Sequence, residues 1–168
     1  MTGTRLLILT ALLLAGCAAP AAPATPATAS TCPTADDRLS QVLHDALAKA
    51  YPDATITGAN RCDDPWRLRY AGSGALEAYL LVRDAAGTRP LNVRLKTMPP
   101  GDGRPESAVE HPFTGATDLD VKVVRADGTG VHIWIANFDD TSLTRPDLST
   151  DVNALVEVAQ WPGLTFAP

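Results

Sequence analysis

The chain has 168 residues, fourteen basic against nineteen acidic, for a net charge of −5 at pH 7. That acidic excess leaves no electrostatic footprint for nucleic acid. The length after a short N-terminal leader suits one domain, large enough to bury roughly two-thirds of the surface its unfolded chain exposes. Met1 to Arg5 carries one positive charge, and residues 6–15 are apolar apart from Thr10. An apolar run of that length, rising 1.5 Å per residue, cannot cross a hydrocarbon core of about 30 Å. A cleaved export signal over residues 1–16 fits better.

Leu14-Ala15-Gly16-Cys17 closes that run. It resembles the lipobox of bacterial lipoproteins, in which signal peptidase cuts before the cysteine. The resemblance implies that Cys17 becomes the mature N-terminus and carries a diacylglyceryl group on its sulfur. The expected address is therefore the extracytoplasmic face of the cell membrane, held by lipid, because two or more acyl chains anchor stably where one does not. Without Arg5 the mature chain has thirteen basic residues against nineteen acidic, a net charge of −6.

Residues 18–31, AAPAAPATPATAST, have no charge and no large apolar side chain. They read as a linker spanning residues 17–31 together with the lipidated cysteine, reaching up to about 43 Å if polyproline-like. The remainder, residues 32–168, is the single domain. It holds two cysteines, Cys32 and Cys62. In an exported domain an even pair favours a disulfide over a metal site. No metal or cofactor is expected from the residue pattern.

Thr34-x-x-Asp37 has the form of a capping box, and Leu39, Val42, Leu43, Ala46, Leu47 and Ala50 then recur on one helical face until Pro52. His44 lies on its polar flank. The period then switches to two: strands are expected over 54–59 and 66–70, and the Leu76, Ala78, Leu80, Val82 alternation pairs as a hairpin with Leu91, Val93 and Leu95. Arg83, Arg94 and Lys96 share its wet face with Tyr79.

Residues 98–118 carry four prolines and three glycines and are expected as one long connection, with His111, Phe113, Asp102, Glu106 and Glu110 making it rich in binding chemistry. A second hairpin, Leu119, Val121, Val123 with Val131, Ile133, Ile135, turns at Asp127-Gly128. The face opposite carries His132, Trp134 and Phe138, expected beneath a helix or loop. A last helix runs roughly Thr150 to Gln160 and stops at Trp161-Pro162. The tail TRPDLSTDVNALVEVAQWPGLTF resembles the ends of small actinobacterial lipoproteins and secreted proteins of unknown function, a likeness that brings no activity with it.

These elements predict an α+β fold: one antiparallel sheet of about five or six strands with an N-terminal and a C-terminal helix packed on it. No catalytic motif is present. Gly72-Ser73-Gly74 is not a nucleophile elbow, and Asp63-Asp64 and Asp139-Asp140 read as turn acids. The expected role is a non-catalytic binding or accessory lipoprotein acting on an envelope protein, peptide or small ligand, with His111, Phe113, His132 and Trp134 as candidate contacts. The alternative is a small envelope hydrolase using His111 or His132 with a carboxylate.

Overall fold

The computed structural model describes residues 32–60, 62, 65–110, 116–137 and 147–166. Cys17, His111, Phe113, Phe138 and the acid pairs Asp63-Asp64 and Asp139-Asp140 lie outside the described residues. Helix α1 covers Asp37–Ala50. Strands follow at β1 Thr55–Gly58, β2 Arg69–Tyr70, β3 Leu76–Asp84, β4 Gly87–Thr97, β5 Pro105–Glu110, β6 Asp118–Val124 and β7 Thr129–Ala136, then helix α2 at Asp151–Ala159. Among the described residues the fold is α+β, a seven-stranded antiparallel sheet with two helices. Neither helix is long and apolar enough to cross a membrane.

Spatial order is β1-β3-β4-β7-β6-β5, with β2 pairing the same strand, β3, as β1 does. Strict alternation puts Leu76, Ala78, Leu80 and Val82 in register with Leu95, Val93, Leu91 and Arg89 across the β3–β4 hairpin, which turns tightly at Ala85-Ala86. Leu91, Val93 and Leu95 then face Ile135, Ile133 and Val131, and these face Leu119, Val121 and Val123. All of these apolar side chains point to one face. They form one core with Leu39, Leu43 and Leu47 of α1 and Leu155, Val158 and Ala159 of α2, so both helices cover the same side.

Helix α1 starts later than the capping-box pattern implied. Asp36, not Thr34, caps it, accepting the Leu39 amide at 2.8 Å. Thr34 and Asp36 instead exchange backbone hydrogen bonds with Tyr70 and Leu68, forming a bridge at Ala35 and Arg69. Ser40 binds this junction from within: its buried hydroxyl donates to the Asp36 carbonyl and accepts the Leu68 amide at 3.0 Å. The expected 66–70 strand is accordingly cut to Arg69–Tyr70, while Trp66 and Leu68 turn into the core.

The larger correction is at 98–118. Residues 98–104 wrap the end of the β6–β7 hairpin, with Met98 N donating to Gly128 O and Gly101 N to Arg125 O. That path carries the chain past two strands to the far edge, where Pro105–Glu110 adds as β5. All six residues are exposed, so no apolar alternation announced the strand. This is the seventh strand, one beyond the expected count.

Two polar devices close the layers. Arg125 donates to the Ala159 and Trp161 carbonyls at 2.9 and 2.8 Å, satisfying the C-terminal end of α2 where a cation is favoured. Arg89 is buried between Asp84, which accepts from it at 2.5 and 3.1 Å, and Asp151, whose Oδ2 lies 3.6 Å from its Nε. The Tyr51 hydroxyl neighbours the same carboxylate, and burial pushes its ionisation far up. Burial also raises the Asp151 carboxyl above the ordinary carboxylate range, against the pull of Arg89.

Candidate functional site

Because both helices sit on one face, the pleat turns the alternate residues toward solvent on the other. One row across β3, β4, β7, β6 and β5 reads Glu77, Arg94, His132, Lys122, Glu106. The next reads Tyr79, Asn92, Trp134, Asp120, Ala108. Opposite charges meet along them, as cross-strand pairing favours. Arg94 Nε lies 3.0 Å from Glu77 Oε1, and Arg94 Nη2 donates to Ser73 Oγ at 3.0 Å. On the same wet face Arg83 Nε donates to Thr88 Oγ1 at 3.3 Å, and Lys96 is exposed at the strand end.

His132 and Trp134 were expected beneath covering structure. Both are half-buried, and no described helix lies over them. His132 Nε2 approaches Asp120 Oδ1 to 2.6 Å, off the line of a hydrogen bond, while Lys122 Nζ donates to Asp120 Oδ2 at 2.8 Å. Asp120 in turn raises the ionisation of the Lys122 amine. Burial raises the Asp118 carboxyl, against the lowering influence of the neighbouring Trp134 N–H. An imidazole and a carboxylate can pass a proton, but covalent hydrolysis also needs a nucleophile on the imidazole. Among the described residues no hydroxyl or thiol hydrogen-bonds His132, and the adjoining hollow, about 80 Å³, is lined mainly by Lys96, Met98, Lys122 and Gly130.

A larger, shallower recess lies at the β1/β2 edge of the sheet. Residues Asn60, Arg69, Tyr70, Glu77 and Tyr79 line it, with Pro33 and Cys62 on one wall, around about 250 Å³. The disulfide Cys32–Cys62, Cα atoms 5.5 Å apart, holds that wall. Arg69 reinforces it by donating to the Pro33 carbonyl at 2.8 Å and the Cys62 carbonyl at 2.5 Å. The Tyr79 hydroxyl donates to Glu77 Oε2 at 3.0 Å. Burial and this carboxylate raise the Tyr79 ionisation, so the hydroxyl keeps its proton.

Among the described residues the exposed large apolar side chains are Tyr70, Tyr79 and Val109, at 48%, 45% and 55%. Two of the three flank this recess. The third lines a hollow of about 270 Å³ between β5, β6 and α2, with Leu119, Leu148 and Val152. His44 serves structure: its ring stacks on the buried Trp66 at 3.6 Å, joining α1 to the segment before β2.

The structure thus brings His132 and Trp134 onto one face, joins Cys32 to Cys62, and adds Tyr70, Glu77 and Tyr79. Sequence reasoning placed Tyr79 on a wet strand face but had no signal for the pairing of β2 with β3, which sets Tyr70 opposite Leu76 at the sheet edge. Among the described residues no cluster of three or more His, Cys, Asp or Glu side chains could hold a metal ion. Comparison with family models, with characterised proteins and with solved structures finds no match.

Proposed function

We propose that this chain is a lipid-anchored extracytoplasmic binding or accessory protein, tethered through Cys17 and holding a ligand on the helix-free face of its sheet. The observation that carries the binding half is the placement of both helices on one side, which leaves exposed Tyr79 and half-buried His132 and Trp134 on the other. Exposed aromatic side chains beside convergent polar groups are the chemistry of recognition surfaces. The anchoring half rests on the lipobox-like Leu14-Ala15-Gly16-Cys17 and the uncharged linker after it.

Cell fractionation tests the anchor. The wild-type chain is expected in the membrane pellet with its N-terminal peptide blocked and heavier by a diacylglyceryl group. Cys17→Ala is expected in the soluble or secreted fraction, or retained with an uncut leader. An unmodified Cys17 thiol in mature protein overturns the anchor.

The hydrolase reading is the runner-up because His132 and Asp120 stand 2.6 Å apart. It predicts turnover of ester, amide or glycoside probes that His132→Ala abolishes. The binding reading predicts that wild-type protein turns over none of them.

A further inference from the structure

The sheet ends in β5, and all six of its residues are exposed. The hydrogen-bond ladder fixes which of its backbone groups point outward. Arg125 N donates to Thr129 O and Asn137 N to Thr117 O, so the odd-numbered residues of β6 bond to β7 and the even-numbered ones to β5. In the β5–β6 register those even residues meet Glu106, Ala108 and Glu110. Pro105, Ser107 and Val109 therefore turn their backbone groups to the outer edge, where no strand among the described residues pairs with them. Such a row is a template for another strand.

Charge decides which strand fits. A second copy of β5 can bond antiparallel only where outward residues meet outward residues, so odd positions must face odd ones. Two such registers overlap most of the strand, one centred on Ser107 and one on Ala108. Centred on Ala108, Glu106 faces Glu110 at both ends, and like charges directly opposite are unfavourable. Centred on Ser107, Glu106 faces Ala108 and Glu110 faces Arg104. We propose that β5 pairs antiparallel with β5 of a second copy about a two-fold axis at Ser107, joining two sheets edge to edge. Ser107 exchanges both backbone hydrogen bonds with its counterpart, and Val109 N–H donates to the Pro105 carbonyl of the second copy. The Val109 side chain, 55% exposed, packs on that proline ring. Pro105 has no N–H to return, so the Val109 carbonyl stays with water. Arg104 can re-pair at little cost, because its 3.3 Å contact with Asp102 joins side chains 86% and 68% exposed. Glu110 already lies opposite Asp118 in its own sheet, and the guanidinium of the second copy brings a counter-charge to that like-charge pair. An edge of this length buries less than roughly 1,200 Å², which places the dimer in the weak class. The axis stands perpendicular to the sheet, so the helix-free faces of the two copies continue as one surface. The pairing goes beyond the binding function proposed above and does not depend on it.

The test is disulfide trapping in the full-length chain, purified in detergent, mildly oxidised and read on non-reducing gels against wild type as background. Cα atoms across a hydrogen-bonded rung lie about 5.5 Å apart, within disulfide reach. Ser107→Cys is expected to trap a homodimer, and Val109→Cys, four positions from its own counterpart, is not. Glu106→Cys and Ala108→Cys should each stay monomeric alone, since diagonal neighbours are about 7–8 Å apart, and should cross-link when mixed. Arg104→Glu should slow Ser107→Cys trapping about tenfold. Adding Glu110→Arg should restore it, which neither unfolding nor a change in net charge would do. All these positions are exposed, so thermal unfolding should match wild type and verifies the fold. No Ser107→Cys dimer, equal trapping at Val109→Cys, or a charge swap without recovery overturns the proposal. Trapping of Ser107→Cys to a different host protein in place of itself makes a foreign strand the occupant and overturns it too. Anchoring is read separately by the fate of Cys17→Ala, so the two proposals fail independently.

Discussion

Arg89 offers the sharpest test of how this fold is held. Its side chain is 3% exposed and lies between Asp84, 21% exposed, and Asp151, 2% exposed. Replacing it by methionine keeps most of the volume but leaves the Asp151 carboxylate in the interior without its cation. Breaking one side of a buried pair costs about 3–5 kcal/mol, and the lower end applies where the orphan can take up a proton. For a domain of this size about 3 kcal/mol lowers Tm by roughly 10 °C. The deficit should depend on pH. Burial raises the Asp151 carboxyl in the folded state, so its protonated form favours folding below about pH 3.8 and that contribution is lost as pH rises through the folded value. Asp84 runs the other way: Arg89 holds its carboxyl low, so its contribution is present above about pH 3.8 and lost as pH falls through the lowered value. Without Arg89 the Asp151 carboxyl rises further, and the deficit of Arg89→Met should shrink on acidification from pH 7 to about pH 4.5. The double variant Arg89→Met/Asp151→Leu removes both buried charges and should recover to within about 1 kcal/mol of wild type. Thermal unfolding followed by circular dichroism across that pH range decides it. A single variant that melts within about 3 °C of wild type at pH 7, or a deficit that grows on acidification, refutes the reasoning.

Other outcomes follow from single contacts. Cys32→Ser and Cys62→Ser should each cost about 3 kcal/mol, and the double variant no more than either, because one cross-link is lost in all three. Ser40→Ala leaves the buried Leu68 amide without its acceptor, so a loss of about 1–3 kcal/mol is expected, together with faster hydrogen exchange at that amide. Gly128→Ala sets a side chain at φ +79° and brings its Cβ within 2.6 Å of the Met98 carbonyl oxygen. It should destabilise by about 1–3 kcal/mol and loosen the 98–104 strap, visible as cleavage there in limited proteolysis. Asp36→Ala removes the α1 cap at a cost of about 1 kcal/mol, read by chemical denaturation.

Local periodicity carried most of the fold. The 3.6-residue spacing of Leu39, Leu43, Ala46 and Leu47, and the alternation of Leu76, Ala78, Leu80 and Val82, each name an element and its buried face within a single stretch of chain. The same holds for Asp127-Gly128, since a turn residue acts on its own backbone. The Cys32–Cys62 pair was readable by count. Strand β5 was not, because an edge strand with both faces wet needs no alternation and is defined only by its partner β6. The Arg89–Asp151 contact and the nearness of Tyr70 to Tyr79 were equally silent, since each joins residues from separate elements. Nor could periodicity say that β4 pairs with β7, or that both helices would choose the same side. The sequence by itself therefore determined which faces would be apolar, a matter of short-range repeat. Tertiary structure alone decided which polar face would stay open, because that depends on where distant segments pack.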